Sequence, residues 1–287
     1  MQDLDETTLT SAVLDTFAQA RTPRIRQVSE ALVRHLHAFI REIEPSEAEW
    51  AEGIAFLTAS GRFCSATRQE FILLSDALGV SMLVDALNHR QPEESTETTV
   101  LGPFFVAAAP QVEPGAHIGG RLPGAPLLID ARVLDADGAP LPGATVDLWH
   151  ADRDGLYDVQ RADAGLAGRA RLTTDDAGSF HVWSVLPSHY PIPHDGPVGR
   201  MLEAQGRHPF RPAHVHFMIE APGHARLVTH VFLSDSEYLD SDVVFGVKRS
   251  LIRMLEHRPA HTMSRGHAPA QPYHVLRTVF RLAAARG

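Results

Sequence analysis

A single cysteine, Cys64, stands among 287 residues. One thiol closes no intrachain disulfide, so packing alone must hold the fold, as in a reducing compartment, and Cys64 reads as a small core residue. No run of 18 apolar residues occurs, which argues against a membrane-spanning helix. The opening MQDLDETTLT is acidic and carries no basic stretch followed by an apolar core, so a secretory signal is not expected and a cytoplasmic location is. Basic charge is in deficit: 26 Lys and Arg against 35 Asp and Glu leave a formal net charge of -9. With no basic run either, neither nucleic acid nor a membrane surface is an expected partner. Repeats at a solenoid period are also missing. The remaining composition, 44% hydrophobic and 21% charged, is that of a soluble globular protein long enough for two domains.

The pattern is mixed α and β, with the period changing near residue 99. Residues 8–20 carry Leu9, Val13, Leu14 and Phe17 on one helical stripe. Thr22-Pro23 has the form of an N-cap followed by proline at the first helical position. After it Ile25, Val28, Leu32, Leu36, Phe39 and Ile43 recur at spacings of three and four. Pro45-Ser46 stops that helix and caps the next, which carries Ile54, Phe56 and Leu57. Thr67 to Glu70 forms a capping box for a fourth helix striped by Phe71, Leu74, Leu78, Met82 and Leu83. Residues 89–99 are polar and make a connector. Residues 1–98 are therefore expected to form a helical linker or dimerisation domain.

From residue 99 the hydrophobic period is about two, and residues 99–287 are expected to form a β-sandwich domain. Strands are expected over 127–134, 145–150, 169–173, 180–186, 213–220, 226–233 and 273–282. The turn Asp175 to Gly178 suggests that the third and fourth pair directly. A short helix is expected over 245–255, and residues 187–212 read as a long loop.

His214 and His216 lie two apart in the strand AHVHFMI and so share one face. Two imidazoles on a rigid face suit a transition metal, and they equally suit a half-buried sheet surface. Tyrosine is scarce, with four in the chain. Tyr157 follows a strand end and Tyr190 lies in the proline-stiffened YPIPHDG loop; each alone reads as a packed, hydrogen-bonded ring. Asp76 interrupts FILLSDALGVSML, either as a solvated polar-face residue or as a carboxylate aimed at a pocket.

Four blocks in order change these readings: TVLGPFFV from Thr99, VDLWHADRDGLYD ending at Asp158, YPIPHDGPVGRML and RPAHVHFMIEAPGH. Together with the LLSDALGVSMLVDAL helix they resemble the intradiol ring-cleavage dioxygenases, most closely those that open hydroxyquinol. The resemblance implies one Fe(III) per chain, held by Tyr157, Tyr190, His214 and His216, with Tyr190 and His216 axial. It implies a small aromatic diol or triol and O2 as substrates. Tyr190 would accept a substrate proton and leave the metal. Arg211 would be catalytic, as a fixed cation beside charge building on the ring. Leu73, Asp76, Val100, Leu101, Gly102, Pro103, Phe104, Phe105, Pro191 and Arg211 would bind the substrate, with Asp76 bonding the third hydroxyl of hydroxyquinol. A homodimer through the helical domain is implied, with a phospholipid at the interface. The chain departs from many catechol-cleaving relatives at His230, where they carry glutamine. Catechol or chlorocatechol cleavage, zinc hydrolysis and a non-catalytic β-sandwich binding module are the rival readings; the last two leave the tyrosines unexplained, since neutral tyrosine is an uncommon zinc ligand.

Overall fold

The computed structural model describes residues 4–65, 68–90, 92, 94–161 and 165–285. The chain divides into two compact units, Met1–Ala59 and Ser60–Gly287. The change of periodicity near residue 99 falls inside the second.

In the first unit, α1 (Leu9–Asp15) runs into a 3-10 turn, and α2 (Pro23–Ile43) follows. The Thr22 side chain accepts a hydrogen bond from the Ile25 N–H at 3.2 Å, which makes it the expected N-cap. Arg41 donates to the Glu6 carbonyl and the Thr10 hydroxyl, and so ties α2 to α1. No residue of α2 is buried. Its stripe of Ile25, Val28, Leu32, Leu36, Phe39 and Ile43 is exposed. The next helix, α3 (Glu47–Phe63), starts at Ser46, whose hydroxyl and backbone N–H both donate to the Glu49 carboxylate.

The expected fourth helix is two: α4 (Glu70–Ala77) and α5 (Val80–Asn88). Gly79 breaks it, at φ 72°, a left-handed conformation that glycine adopts without steric cost. Thr67 of the expected capping box lies outside the described residues. Glu70 has a longer-range role: it is buried and accepts from the Val198 N–H at 3.0 Å. That N–H opens α6 (Pro197–Ala204).

The β part is a sandwich. Its strands are β1 (Pro126–Asp135), β2 (Thr145–His150), β3 (Arg169–Thr173), β4 (Ser179–Val185), β5 (Tyr190–Pro191), β6 (Phe210–Arg211), β7 (His214–Glu220), β8 (Leu227–Leu233), β9 (Ile252–Arg253), β10 (Leu255–Arg258) and β11 (Tyr273–Leu282). One sheet has the order β10-β11-β1-β4 and the other β3-β2-β7-β8-β9, with β5 and β6 as a separate pair. Strand alternation puts Leu127, Ile129, Ala131 and Val133 of β1 against Val215, Phe217 and Ile219 of β7 in one core. The same alternation turns His214 and His216 to the outer face of the five-stranded sheet.

Three local expectations are corrected. β3 and β4 do not pair; they belong to opposite sheets, so the Asp175 to Gly178 turn crosses the sandwich. Residues 187–212 are not a bare loop but contain β5, α6 and β6. Residues 245–255 hold a 3-10 turn at Arg249–Leu251 and the strand β9 rather than a helix.

Candidate metal centre

Each group at the centre is placed by a short local device. In β7, His214 and His216 follow Pro212, whose carbonyl accepts a hydrogen bond from the His214 Nδ1–H at 2.7 Å. That bond fixes the tautomer and leaves the His214 Nε2 lone pair pointing inward. Trp149, opposite His216 on β2, stacks on its ring at 4.7 Å and 14°. Gly102 covers another side: a Cβ there would lie 3.1 Å from His216 Cε1.

Tyr157 leaves a turn built on Asp152. One Asp152 oxygen accepts the N–H groups of Asp154 and Leu156, and the other accepts Arg161 Nε. The next residue, Asp158, forms a buried ion pair with Arg169 and accepts the Ala167 N–H. Arg169 also donates to the Phe104 carbonyl at 3.0 Å, and the Phe104 ring stacks on Tyr157 at 4.3 Å. Tyr190 sits on β5, directly paired with Arg211 on β6. Gly155 gives it room: a Cβ there would stand 2.7 Å from Tyr190 Cβ.

The tips of these four side chains converge in a buried spot. Tyr157 Oη is 3.4 Å from Tyr190 Oη and 3.0 Å from His216 Nε2, and His214 Nε2 is 3.1 Å from His216 Nε2. Donors bonded at about 2.0–2.1 Å to one ion, at angles between 90° and 110°, stand about 2.9–3.4 Å apart. The chemistry of the donors agrees. Burial pushes both imidazoles well below their ordinary pKa, so both nitrogens belong to neutral rings. Burial, then the neighbouring Tyr190, pushes the Tyr157 phenol well above its ordinary value, while Arg211 and Arg169 pull the other way. A phenolate at neutral pH here therefore requires a strong cation, and a trivalent ion supplies one. The residues present fit a ferric ion.

Among the described residues, the histidine, cysteine or carboxylate group able to hold a metal is His214, His216 and His230. His230 pairs with His216 across β8. Its Nδ1 faces Arg211 Nη2 at 3.4 Å, and its Nε2 has no hydrogen-bond partner.

Arg211 is buried, with Nη1 3.3 Å from His214 Nε2. Burial works against its charge, and Asp242, which accepts from Nε and Nη2, outweighs that together with Tyr190 and Tyr157. The other expected pocket residues divide. Gly102 and Phe104 touch the centre as described, and Phe105 packs on Trp149 at 5.1 Å. Val100 is half-buried. Asp76 is buried within electrostatic reach of Arg211 and Asp242. Leu73 packs with Ile192, Val243 and Val244. Leu101, Pro103 and Pro191 are exposed. Trp149, Asp158, Arg169, Gly155 and Asp242 were not singled out from sequence; Trp149, Gly155 and Asp158 lie inside the WHADRDGLYD block, which was the available signal.

Residues 100–271 match a family model described as dioxygenase, and residues 22–96 one described as catechol dioxygenase N terminus. The chain belongs to the intradiol ring-cleavage dioxygenases. Within these dioxygenases it is 50% identical to the hydroxyquinol 1,2-dioxygenase of Nocardioides simplex, over 90% of this chain and 88% of that one. It is 51% identical to the 6-chlorohydroxyquinol 1,2-dioxygenase of Cupriavidus pinatubonensis, over 88% and 92%. The crystal structure of a hydroxyquinol 1,2-dioxygenase from Pseudomonas putida DLL-E4 superposes with a TM-score of 0.92 at 48% identity, covering 98% of this chain and 99% of that one.

Proposed function

We propose that this dioxygenase opens hydroxyquinol, benzene-1,2,4-triol, between the carbons bearing the 1- and 2-hydroxyls. Both atoms of O2 enter the product, 3-hydroxy-cis,cis-muconate, the enol form of maleylacetate. Tyr157, Tyr190, His214 and His216 would hold one Fe(III) per chain, and that ion would supply the Lewis acidity that makes a 1,2-diol ring reactive toward O2. The observation that carries this reading is the convergence of two phenol oxygens and two imidazole nitrogens on one buried point.

The chain's own groups have distinct tasks. Tyr190 lies on a two-residue strand, and as a phenolate it would take a proton from a substrate hydroxyl. Tyr157 is clamped by Phe104 and by the Asp158–Arg169 pair and stays in position. Arg211 presents a permanent charge next to His214, where negative charge on the ring would build. Asp76 would accept the third hydroxyl, which catechol lacks; a site built to bond a hydroxyl rejects the analogue without it. Leu73, Val100 to Phe105 and Pro191 would form the walls.

The relatives at half identity act, by their names, on hydroxyquinols, which favours hydroxyquinol over catechol or chlorocatechols as this chain's substrate. The exposed apolar stripe of α2 supports a homodimer through the helical residues, with a phospholipid as its interface ligand. Among the described residues no helix is long and apolar enough to cross a membrane; a cytoplasmic location is part of the proposal. The test is a visible spectrum with metal analysis of purified protein, then O2 uptake with hydroxyquinol, catechol and chlorocatechols. A red, iron-containing protein with fastest uptake on hydroxyquinol is expected. Colourless zinc protein would overturn the reading in favour of the three-histidine cluster.

A further inference from the structure

Arg211 offers its charge to the centre through one edge only, and Asp242 decides which edge. The Asp242 carboxylate accepts Arg211 Nε at 3.1 Å on one oxygen and Nη2 at 3.2 Å on the other. That two-pronged contact leaves Nη1 as the edge facing His214. Asp242 is itself fixed. It is buried, and its oxygens also accept the N–H groups of Gly246 at 3.0 Å and Val244 at 3.4 Å. The backbone closes around the pair: Val243 N–H donates to the Phe210 carbonyl beside Arg211, and Phe245 N–H returns to the Asp242 carbonyl. Gly246 is the close neighbour, since a Cβ there would lie 3.0 Å from Arg211 Nη2.

We infer that Asp242 is a positioning residue for ring cleavage: it holds the Nε and Nη2 edge of Arg211 so that Nη1 faces the reacting ring. The inference rests on the function proposed above and deepens it. Asp242 does not touch the four donor groups and need not touch substrate; it acts through Arg211. An arginine with an idle carboxylate-binding edge could swing that edge toward the phenolates and spend its charge on the ligands. With that edge occupied, the guanidinium keeps one orientation before substrate arrives, and no reorganisation is needed when charge develops.

The test compares the iron-loaded full-length parent, Asp242→Asn, Arg211→Gln and the double variant. Asp242→Asn keeps the shape and loses the charge. We expect kcat on hydroxyquinol to fall roughly 10- to 100-fold in Asp242→Asn. Iron content, the resting visible band and the anaerobic Kd for hydroxyquinol should stay within two-fold of the parent. In the Arg211→Gln background, Asp242→Asn should cost less than two-fold more. The double variant also removes the unpaired buried charge, so it answers the question even if the single variant misfolds. An Asp242→Asn enzyme with parental kcat overturns the inference, and so does an equal loss in both backgrounds. A parent with neither visible band nor O2 uptake would instead sink the proposed function itself.

Discussion

Gly155 lets the placement of Tyr190 be tested without altering any donor group. It sits at φ +76°, and an added Cβ would meet Tyr190 Cβ at 2.7 Å and the His189 carbonyl oxygen at 3.0 Å. Gly143 is the matched control, at φ +71° with nothing within 4 Å of a Cβ. Alanine at either position carries the left-handed backbone cost of about 1–2 kcal/mol. Gly155→Ala adds an overpacking cost of about 1–3 kcal/mol. For a folded part of this size each kcal/mol lowers Tm by about 2–4 °C. Gly143→Ala should therefore melt a few degrees lower with full activity. Gly155→Ala must shift Tyr190 by somewhat under ~1 Å to reach ordinary contact, and a misplacement of about 1 Å costs on the order of 100-fold in rate. Differential scanning fluorimetry, the visible tyrosinate-to-iron band and O2 uptake on iron-loaded protein read all three quantities. A Gly155→Ala protein with unchanged band and rate, beside a Gly143→Ala protein of equal stability, would refute the assignment of Tyr190 as a ligand held by this contact.

Asp76→Ala should lower kcat/KM for hydroxyquinol by roughly 10- to 100-fold, the worth of a hydrogen bond to a charged group, while changing catechol turnover much less; equal losses on both substrates defeat the assignment. Burial, more than the nearby Asp242, raises the Asp76 pKa above its ordinary 3.8. A raised acid favours folding below the unfolded pKa, and that gain is lost as pH rises through the folded value. Asp76→Asn should therefore raise Tm at pH 7.5, with the gain fading toward pH 4; a flat difference across that range contradicts the burial argument. Asp158→Ala strands the buried Arg169 charge and should cost about 3–5 kcal/mol by denaturant titration, with Tyr157 ordering lost as well. Leu32→Asp, in the middle of the exposed α2 stripe, should convert a dimer to a monomer by light scattering without bleaching the visible band; a dimer that persists removes the stripe as the interface.

What could be read from residues alone was whatever a single periodicity encodes. Thr22-Pro23 placed the start of α2, and alternation in AHVHFMI set the two histidines on one face. The four donors were legible as a set because their blocks carry a family pattern, not because spacing joins Tyr157 to His216. Other features depend on contacts between distant segments. The Asp175 to Gly178 turn announces a reversal but not the sheet that receives the next strand, so β3 and β4 looked like partners. The proline-rich stretch 187–212 hides α6, whose first turn is stabilised from outside by the Glu70 carboxylate. Gly79 sits in a continuous apolar run, where one left-handed residue splits a helix without disturbing the stripe. Asp242 lies in no recognisable block, and only its bond with Arg211 reveals it.

The pairing of β1 with β11 is parallel and runs from Leu127 against His274 to Asp135 against Leu282. Almost half the chain separates these partners, and β11 fills the slot between β10 and β1. During synthesis β1 can find β4 early, yet its other edge stays open until β11 emerges from the ribosome. Such an edge is a template for a neighbouring nascent chain, and closing a long loop is slow. Soluble yield should thus depend on how quickly the final strand is released, and a stop codon ahead of Tyr273 would leave the first sheet without its centre.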